Sequence, residues 1–363
     1  MNKIKLYSNC KVSKGFIRSI IIDLQREIFF FAPNNIGYIF DGLTEHNASD
    51  ETLNSNISFL LQNKLAFIAG FPFNSKSTLS KTINCYSDIS NLTLILDNIR
   101  DPEYIQSLFD QVNINQCNAL LIISAPPINI AEVEKVLKLL NHSKIRSVQI
   151  ITKYPHEGTF AAEEQMIHTY KRVVSILYYD APLNQASNVG VYEQVLKITS
   201  TITFDMVVNR PVQAHHFICN IPFFNESLAY NPFYYKKAVV NVDGQVFVAL
   251  HSNEAIGDVK KRNLAEIIND KTLFEFAFTS KIKIDVCKRC EFKNICPDNR
   301  VPNKRPNGSW YHDTECDYNP FIAKWKNENG YQTLSDCGIV CNETGFKIDR
   351  KRLKIINHLL WKC

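Results

Sequence analysis

The chain has 363 residues, 45% of them hydrophobic and 21% charged, and a formal net charge of +5. At roughly 150 residues per domain, that length predicts two or three domains, and the composition excludes a disordered chain. No uncharged apolar run approaches the roughly 18 residues of a membrane span, the charge excess is too mild to argue for nucleic acid, and 12 Gly are few for glycine-rich nucleotide loops.

The opening Met1 to Asn9 has no apolar segment and no small-residue cleavage site, which predicts a cytoplasmic protein. In that compartment the 11 Cys are expected as reduced thiols or metal ligands rather than disulfides.

Residues 1–73 read as a small winged-helix-like module. Ile17 to Leu24 and Glu27 to Ala32 are apolar runs flanking Gln25-Arg26, a hairpin pattern. Pro33-Asn34-Asn35 resembles a helix start leading into Ile36 to Leu43, and Ser49-Asp50-Glu51 opens a second helix with Leu53, Ile57, Leu60 and Leu61 on one face. Leu65 to Ala69 returns as a strand, and the Ser/Thr-rich stretch Asn74 to Asn91 reads as a linker. Residues 92–210 alternate: strands at Leu92 to Leu96, Ala119 to Ser124, Val148 to Thr152 and Val173 to Tyr178, with helices at Asp101 to Val112, Ile130 to Leu140 and Thr159 to Arg172 between them. Repeated βα units predict a parallel sheet, with too few units for a closed eight-stranded barrel. Residues 212–330 hold a hairpin around Asp243-Gly244, read as a type I′ turn, then a cysteine-rich run. Residues 331–363 end in a basic amphipathic helix over Lys347 to Lys362, whose apolar face covers the C-terminal module or docks on a partner.

Cys10, Cys85, Cys117 and Cys219 are scattered, whereas Cys287, Cys290, Cys296, Cys316, Cys337, Cys341 and Cys363 crowd the C-terminal end. Cys287-x2-Cys290-x5-Cys296, with Cys316 further on, is the strongest chemical signal. A Cys-x2-Cys knuckle lets two thiolates meet one metal centre from a single turn. A third ligand follows from the next loop and a fourth from a returning segment. Four thiolates suit either Zn²⁺ or an iron–sulfur cluster. Lys288, Arg289 and Lys293 stand beside the ligands as candidate counter-charges.

This run, with Glu315-Cys316-Asp317-Tyr318-Asn319-Pro320-Phe321, resembles a SPASM domain. More narrowly, it is similar to the SPASM proteins of grasp-with-spasm peptide-modification systems, relatives of radical S-adenosylmethionine maturases that occur beside an ATP-grasp ligase and a precursor peptide. Asn9-Cys10-Lys11-Val12, Gly15 to Arg26, Asn225 to Leu228 and Asp243-Gly244 also fit that family. The resemblance implies an α/β fold: a degenerate partial (βα) barrel of the radical S-adenosylmethionine kind, an N-terminal winged-helix-like module that holds a leader peptide by strand addition, and a Cys-rich SPASM domain. It implies a 4Fe–4S cluster, with Zn²⁺ as the alternative, on Cys287, Cys290, Cys296 and Cys316. The three ligands that the family uses for its other auxiliary cluster fall on Phe233, Ala249 and Asn299 or Arg300, so that site has lost all its thiols. The Cys-x3-Cys-x2-Cys motif of radical chemistry occurs nowhere in the chain. Cys337 and Cys341 have the first spacing, but Thr344 replaces the third Cys, and Asp97 to Arg100 after the first barrel-like strand carries no thiol. No S-adenosylmethionine is therefore expected.

The resulting expectation is a cytoplasmic accessory that binds precursor peptide and an ATP-grasp ligase, with no nucleic-acid or membrane partner. The alternative is a maturase acting on the peptide itself, with catalytic residues unknown. Weaker signals are His215-His216 near Cys219, His251 as a substitute ligand, a second metal on Cys337, Cys341 and Cys363 with His358, and a peptide groove along Phe29-Phe30-Phe31.

Overall fold

The computed structural model describes residues 3–39, 51–69, 88–96, 102–155, 161–189, 194–209 and 212–361. The chain forms two compact units that interleave in sequence. One comprises Met1–Ile83, Pro211–Pro232 and Phe278–Cys363; the other comprises Asn84–Arg210 and Phe233–Ala277. Cys85, Cys363, Asp97 to Arg100, Leu43 and most of the Asn74 to Asn91 stretch, for which the sequence carries expectations, lie outside the described residues. Among the described residues no helix is long and apolar enough to cross a membrane.

The first unit opens with β1 (Lys3–Leu6), β2 (Cys10–Lys14), β3 (Arg18–Asp23) and β4 (Ile28–Pro33), followed by α1 (Glu51–Gln62) and β5 (Ala66–Ala69). β2, β3 and β4 form an antiparallel sheet, and β1 pairs with β5. A 3₁₀ turn at Asn34–Ile39 stands where the pattern predicted a longer helix. Strand β3 is buried on both faces, which explains its unbroken apolar run. Ile20 and Ile22 face one core with Phe292, Ile295 and Tyr318; Ile21 faces another with Leu60 and Leu65. The same two-residue alternation splits the phenylalanines. Phe29 and Phe31 meet Phe292 at 5.6 and 6.1 Å, and Phe30 meets Phe59 at 6.2 Å. The β3–β4 connection is longer than Gln25-Arg26 alone. The Asp23 carboxylate accepts from the Gln25 and Arg26 amides (both 3.0 Å) and from Arg26 Nε (2.5 Å), and Glu27 takes φ +56°. Asp23 thus supplies the turn chemistry that Gln-Arg lacks.

Among the described residues, the second unit holds a nine-stranded sheet. β6 (Asn91–Ile95), β7 (Ala119–Ser124), β8 (Ser147–Lys153) and β9 (Val173–Tyr179) are linked by α2 (Pro102–Ile114), α3 (Ile130–Leu139) and α4 (Ala161–Thr169). Each strand adds parallel to the last, in one direction without reversal. β10 (Gln185–Val189) and β11 (Gln194–Ile198) extend one side, with β11 parallel to β9. β12 (Lys237–Asn241) pairs parallel to β6 on the other, continued antiparallel by β13 (Gln245–Phe247) and β14 (Ala255–Asp258). Edge strands β10 and β14 do not pair with each other, so the sheet is open among the described residues. The β12–β13 turn is not the type I′ turn expected. Gly244 has φ +94°, Asp243 is not left-handed, and Gly244 N–H donates to Asn241 O (3.2 Å), so the loop is three residues long with glycine at its left-handed position.

Candidate metal centre

The first two cysteines sit on a strained turn of the first unit. Val286 adopts φ 66°, ψ −59°, and Cys287 N–H donates to Asp285 O at 2.8 Å. That is a γ-turn of the rare, strained hand, on a β-branched residue. Cys287–Arg289 then forms a 3₁₀ turn, closed by Cys290 N–H to Cys287 O at 3.0 Å. Two hydrogen-bonded turns in succession thus carry the Cys-x2-Cys knuckle.

Cys287, Cys290, Cys296 and Cys316 line one cavity of about 40 Å³ with Lys281, Asp298 and Arg300 on its wall. Phe292 and Tyr318 close it from the side of the β2–β4 sheet, and Cys290, Cys296 and Cys316 pack on that core. Among the described residues, ligand atoms of Cys287, Asp298 and His312 lie within 4.8 Å of one another. The four thiols around the cavity form a donor set that an iron–sulfur cluster takes.

The field in the cavity is built largely by residues that the sequence pattern did not mark as counter-charges. Lys281 is 2% exposed, and its Nζ donates to Cys296 O at 2.5 Å. Arg300 binds Asp298 through Nε (2.9 Å) and a terminal nitrogen (2.7 Å). Burial pushes the Cys287 thiol up to about 12 and Cys296 to about 11, against the pull of Arg300 and Lys281. Burial likewise raises Cys316, and it lifts Cys290 well above the thiol range with Glu291 adding to it. Bound cations would reverse this and hold thiolates. Burial opposes the ionised form of Asp298, but Arg300 and Lys281 hold it well below the usual carboxylate range. Burial, then the field of Arg300, push His312 down to about 3, so its imidazole is neutral.

Two buried ion pairs fix the knuckle. On one side Glu291, next to Cys290, accepts from Arg18 Nε (2.8 Å) and from the Tyr318 hydroxyl, while Ser13 Oγ donates to Glu291 O at 2.5 Å. Gly15 allows this approach: a Cβ there would lie 2.8 Å from Glu291 Oε2 and 2.6 Å from Arg18 O. On the other side Asp285 takes Lys288 Nζ (2.5 Å) and Arg305 (2.6 Å). Arg305 also donates to Asn342 O (2.7 Å) and Gly345 O (3.3 Å), which ties the hairpin Ile339–Asn342/Gly345–Ile348 to the turn.

Of the counter-charges expected from sequence, Lys293 lines the cysteine cavity, whereas Lys288 and Arg289 are not among its lining residues. Lys288 pairs with Asp285, Arg289 lies near the Phe346 ring, and Lys293 reaches Lys14 O and Cys290 O. Cys219 is buried in the apolar core, and His216 Nδ1 accepts from Gln213 N–H. Cys337 is buried among Phe321, Ile322 and Leu353, accepting from Asn319; Cys341 accepts from Arg305. Phe233, Ala249 and the exposed His251 belong to the other unit.

Residues 233–291 match the family model of SPASM, an iron-sulfur cluster-binding domain. The match includes Cys287 and Cys290 and ends before Cys296 and Cys316. No curated protein and no solved structure matches the chain.

Proposed function

We propose that this protein is a SPASM-type component of a ribosomal peptide-modification pathway. In this reading it binds a precursor peptide, assists an ATP-grasp ligase, and performs no radical S-adenosylmethionine chemistry of its own. The observation that carries it is the convergence of Cys287, Cys290, Cys296 and Cys316 on one cavity, in a chain whose residues 233–291 match the SPASM model and whose sequence lacks the three-thiol radical motif.

These four cysteines would hold a 4Fe–4S cluster. Such a group can supply folding free energy or accept an electron when bound. Around it the chain's own residues act electrostatically. Lys281 and Arg300 offset the negative charge of four thiolates, and Asp298 orients Arg300. The one-directional strand order β6 to β9 supports the partial-barrel reading of the second unit. The β2–β4 sheet followed by α1 supports a winged-helix-like recognition module.

The test is turnover. Precursor peptide is incubated with the ligase, with and without this protein, and its mass is followed. A changed rate or selectivity of the ligase's own product supports the accessory. A new mass produced by this protein alone supports the alternative, a maturase acting directly on the peptide.

A further inference from the structure

A second concavity of the same unit, a groove of about 820 Å³, shares no lining residue with the cysteine cavity. One wall is the C-terminal helix, Arg350–Trp361. Two adjacent rows of that helix, each at four-residue spacing, line the groove: Arg350, Lys354 and His358, and Leu353, Asn357 and Trp361. The opposite side is formed by Phe16, Ile17, Arg18 and Arg289, and no acidic residue lines the groove.

Two features give the groove a chemical preference. The first is charge. Arg18 is compensated by Glu291, but among the described residues Arg289, Arg350 and Lys354 have no carboxylate partner. The second is a pair of unmet hydrogen-bonding needs. Asn357 Nδ2 donates to Phe321 O at 3.0 Å, which leaves its Oδ1 buried and unpartnered; Arg289 Nε is also buried without a partner. One atom needs an N–H donor and the other an oxygen acceptor. A peptide backbone offers both, whereas a phosphate chain offers acceptors only. Phe16, Ile17, Ile348, Leu353 and Trp361 add apolar walls that can take a bulky side chain.

We propose that this groove binds an acidic, extended peptide segment carrying a bulky apolar residue. From Arg350 to Trp361 the wall is about 16 Å long, room for about five extended residues. The proposal narrows the precursor-peptide reading and rests on it for the biological source of the segment.

The experiment is fluorescence anisotropy on the full chain purified anaerobically. The probes are a labelled peptide of alternating Glu and Leu with one Phe, its Lys-for-Glu counterpart, and a single-stranded DNA of equal length. Saturable binding of the acidic peptide alone is expected, weakening with salt. The double variant R350E/K354E should lose at least about tenfold in affinity, with iron content and Tm unchanged. Lys351→Glu, on the same helix but outside the groove, should bind as wild type. Equal binding of both peptides, tighter binding of DNA, or an unaffected double variant overturns the proposal. An unaffected double variant with intact ligase assistance sinks the groove alone. Normal groove binding by a protein without effect on the ligase sinks the accessory role alone.

Discussion

Arg18 Nε and Glu291 Oε1 lie 2.8 Å apart although 273 positions separate them in the chain. Glu291 is fully buried and directly follows the second cysteine of the knuckle. The start of β3 is thereby locked to the metal-centre candidate, with the Tyr318 hydroxyl as a third member.

Removing one partner leaves the other buried without compensation. Arg18→Ala should therefore destabilise the first unit by about 3 kcal/mol. The double variant R18A/E291Q should cost less than the two single changes summed. Denaturant unfolding measures both; strict additivity would show that the two side chains are not coupled.

The left-handed Val286 gives a second expectation. Glycine at this position relieves backbone strain, whereas alanine keeps the strain and loses the same packing against the Phe321 core. Val286→Gly should be more stable than Val286→Ala by about 1 kcal/mol, reversing the usual order. Thermal unfolding of the two variants decides it, and an alanine variant that melts higher removes the strain argument.

Lys281 is the buried cation closest in role to a fixed counter-ion, since it neighbours Cys287, Cys296 and Asp298. Lys281→Met preserves the stem and deletes the charge. Iron retention against a chelator should fall by about tenfold. Retention equal to wild type would mean that Lys281 serves only to cap Cys296 O.

The pH dependence follows from Asp23. Burial opposes its ionised form, but hydrogen bonds from Arg26, Gln25 and Asn9 outweigh that, and its pKa lies below the ordinary value. A carboxylate depressed on folding contributes stability that is fully present above its unfolded pKa, about 3.9. That contribution is lost as pH falls through the lower folded value, because the unfolded chain takes the proton first. Asp23→Asn should lower Tm at neutral pH and approach wild type once the pH falls below the folded-state value. A Tm difference that stays constant across that range contradicts the assignment.

The parts of the fold written in local pattern were legible. Continuous apolar runs such as Ala119 to Ser124 and the helical spacing of Val133, Val136 and Leu137 reappear as a buried strand and helix. β10 was missed because Gln185 to Val189 is a polar edge strand without alternation. Cys10–Lys14 was missed as a strand because its partner is β3, and only pairing reveals its buried face. At the candidate site, the cysteine spacing was visible because it is local. Lys281, Asp298 and His312 were not singled out, and Arg300 was named only as a position lacking a thiol, because what marks them is burial beside sulfur. Pro297-Asp298 directly after Cys296 was the one local hint.

The direct measurement of the central claim is iron and acid-labile sulfide per chain after anaerobic purification, for wild type and cysteine-to-serine variants. About four of each are expected in wild type. Cys287→Ser, Cys290→Ser, Cys296→Ser and Cys316→Ser should each lose most of it, whereas Cys337→Ser and Cys341→Ser should match wild type. A colourless protein carrying one zinc, or iron that persists undiminished in Cys290→Ser, would contradict the account.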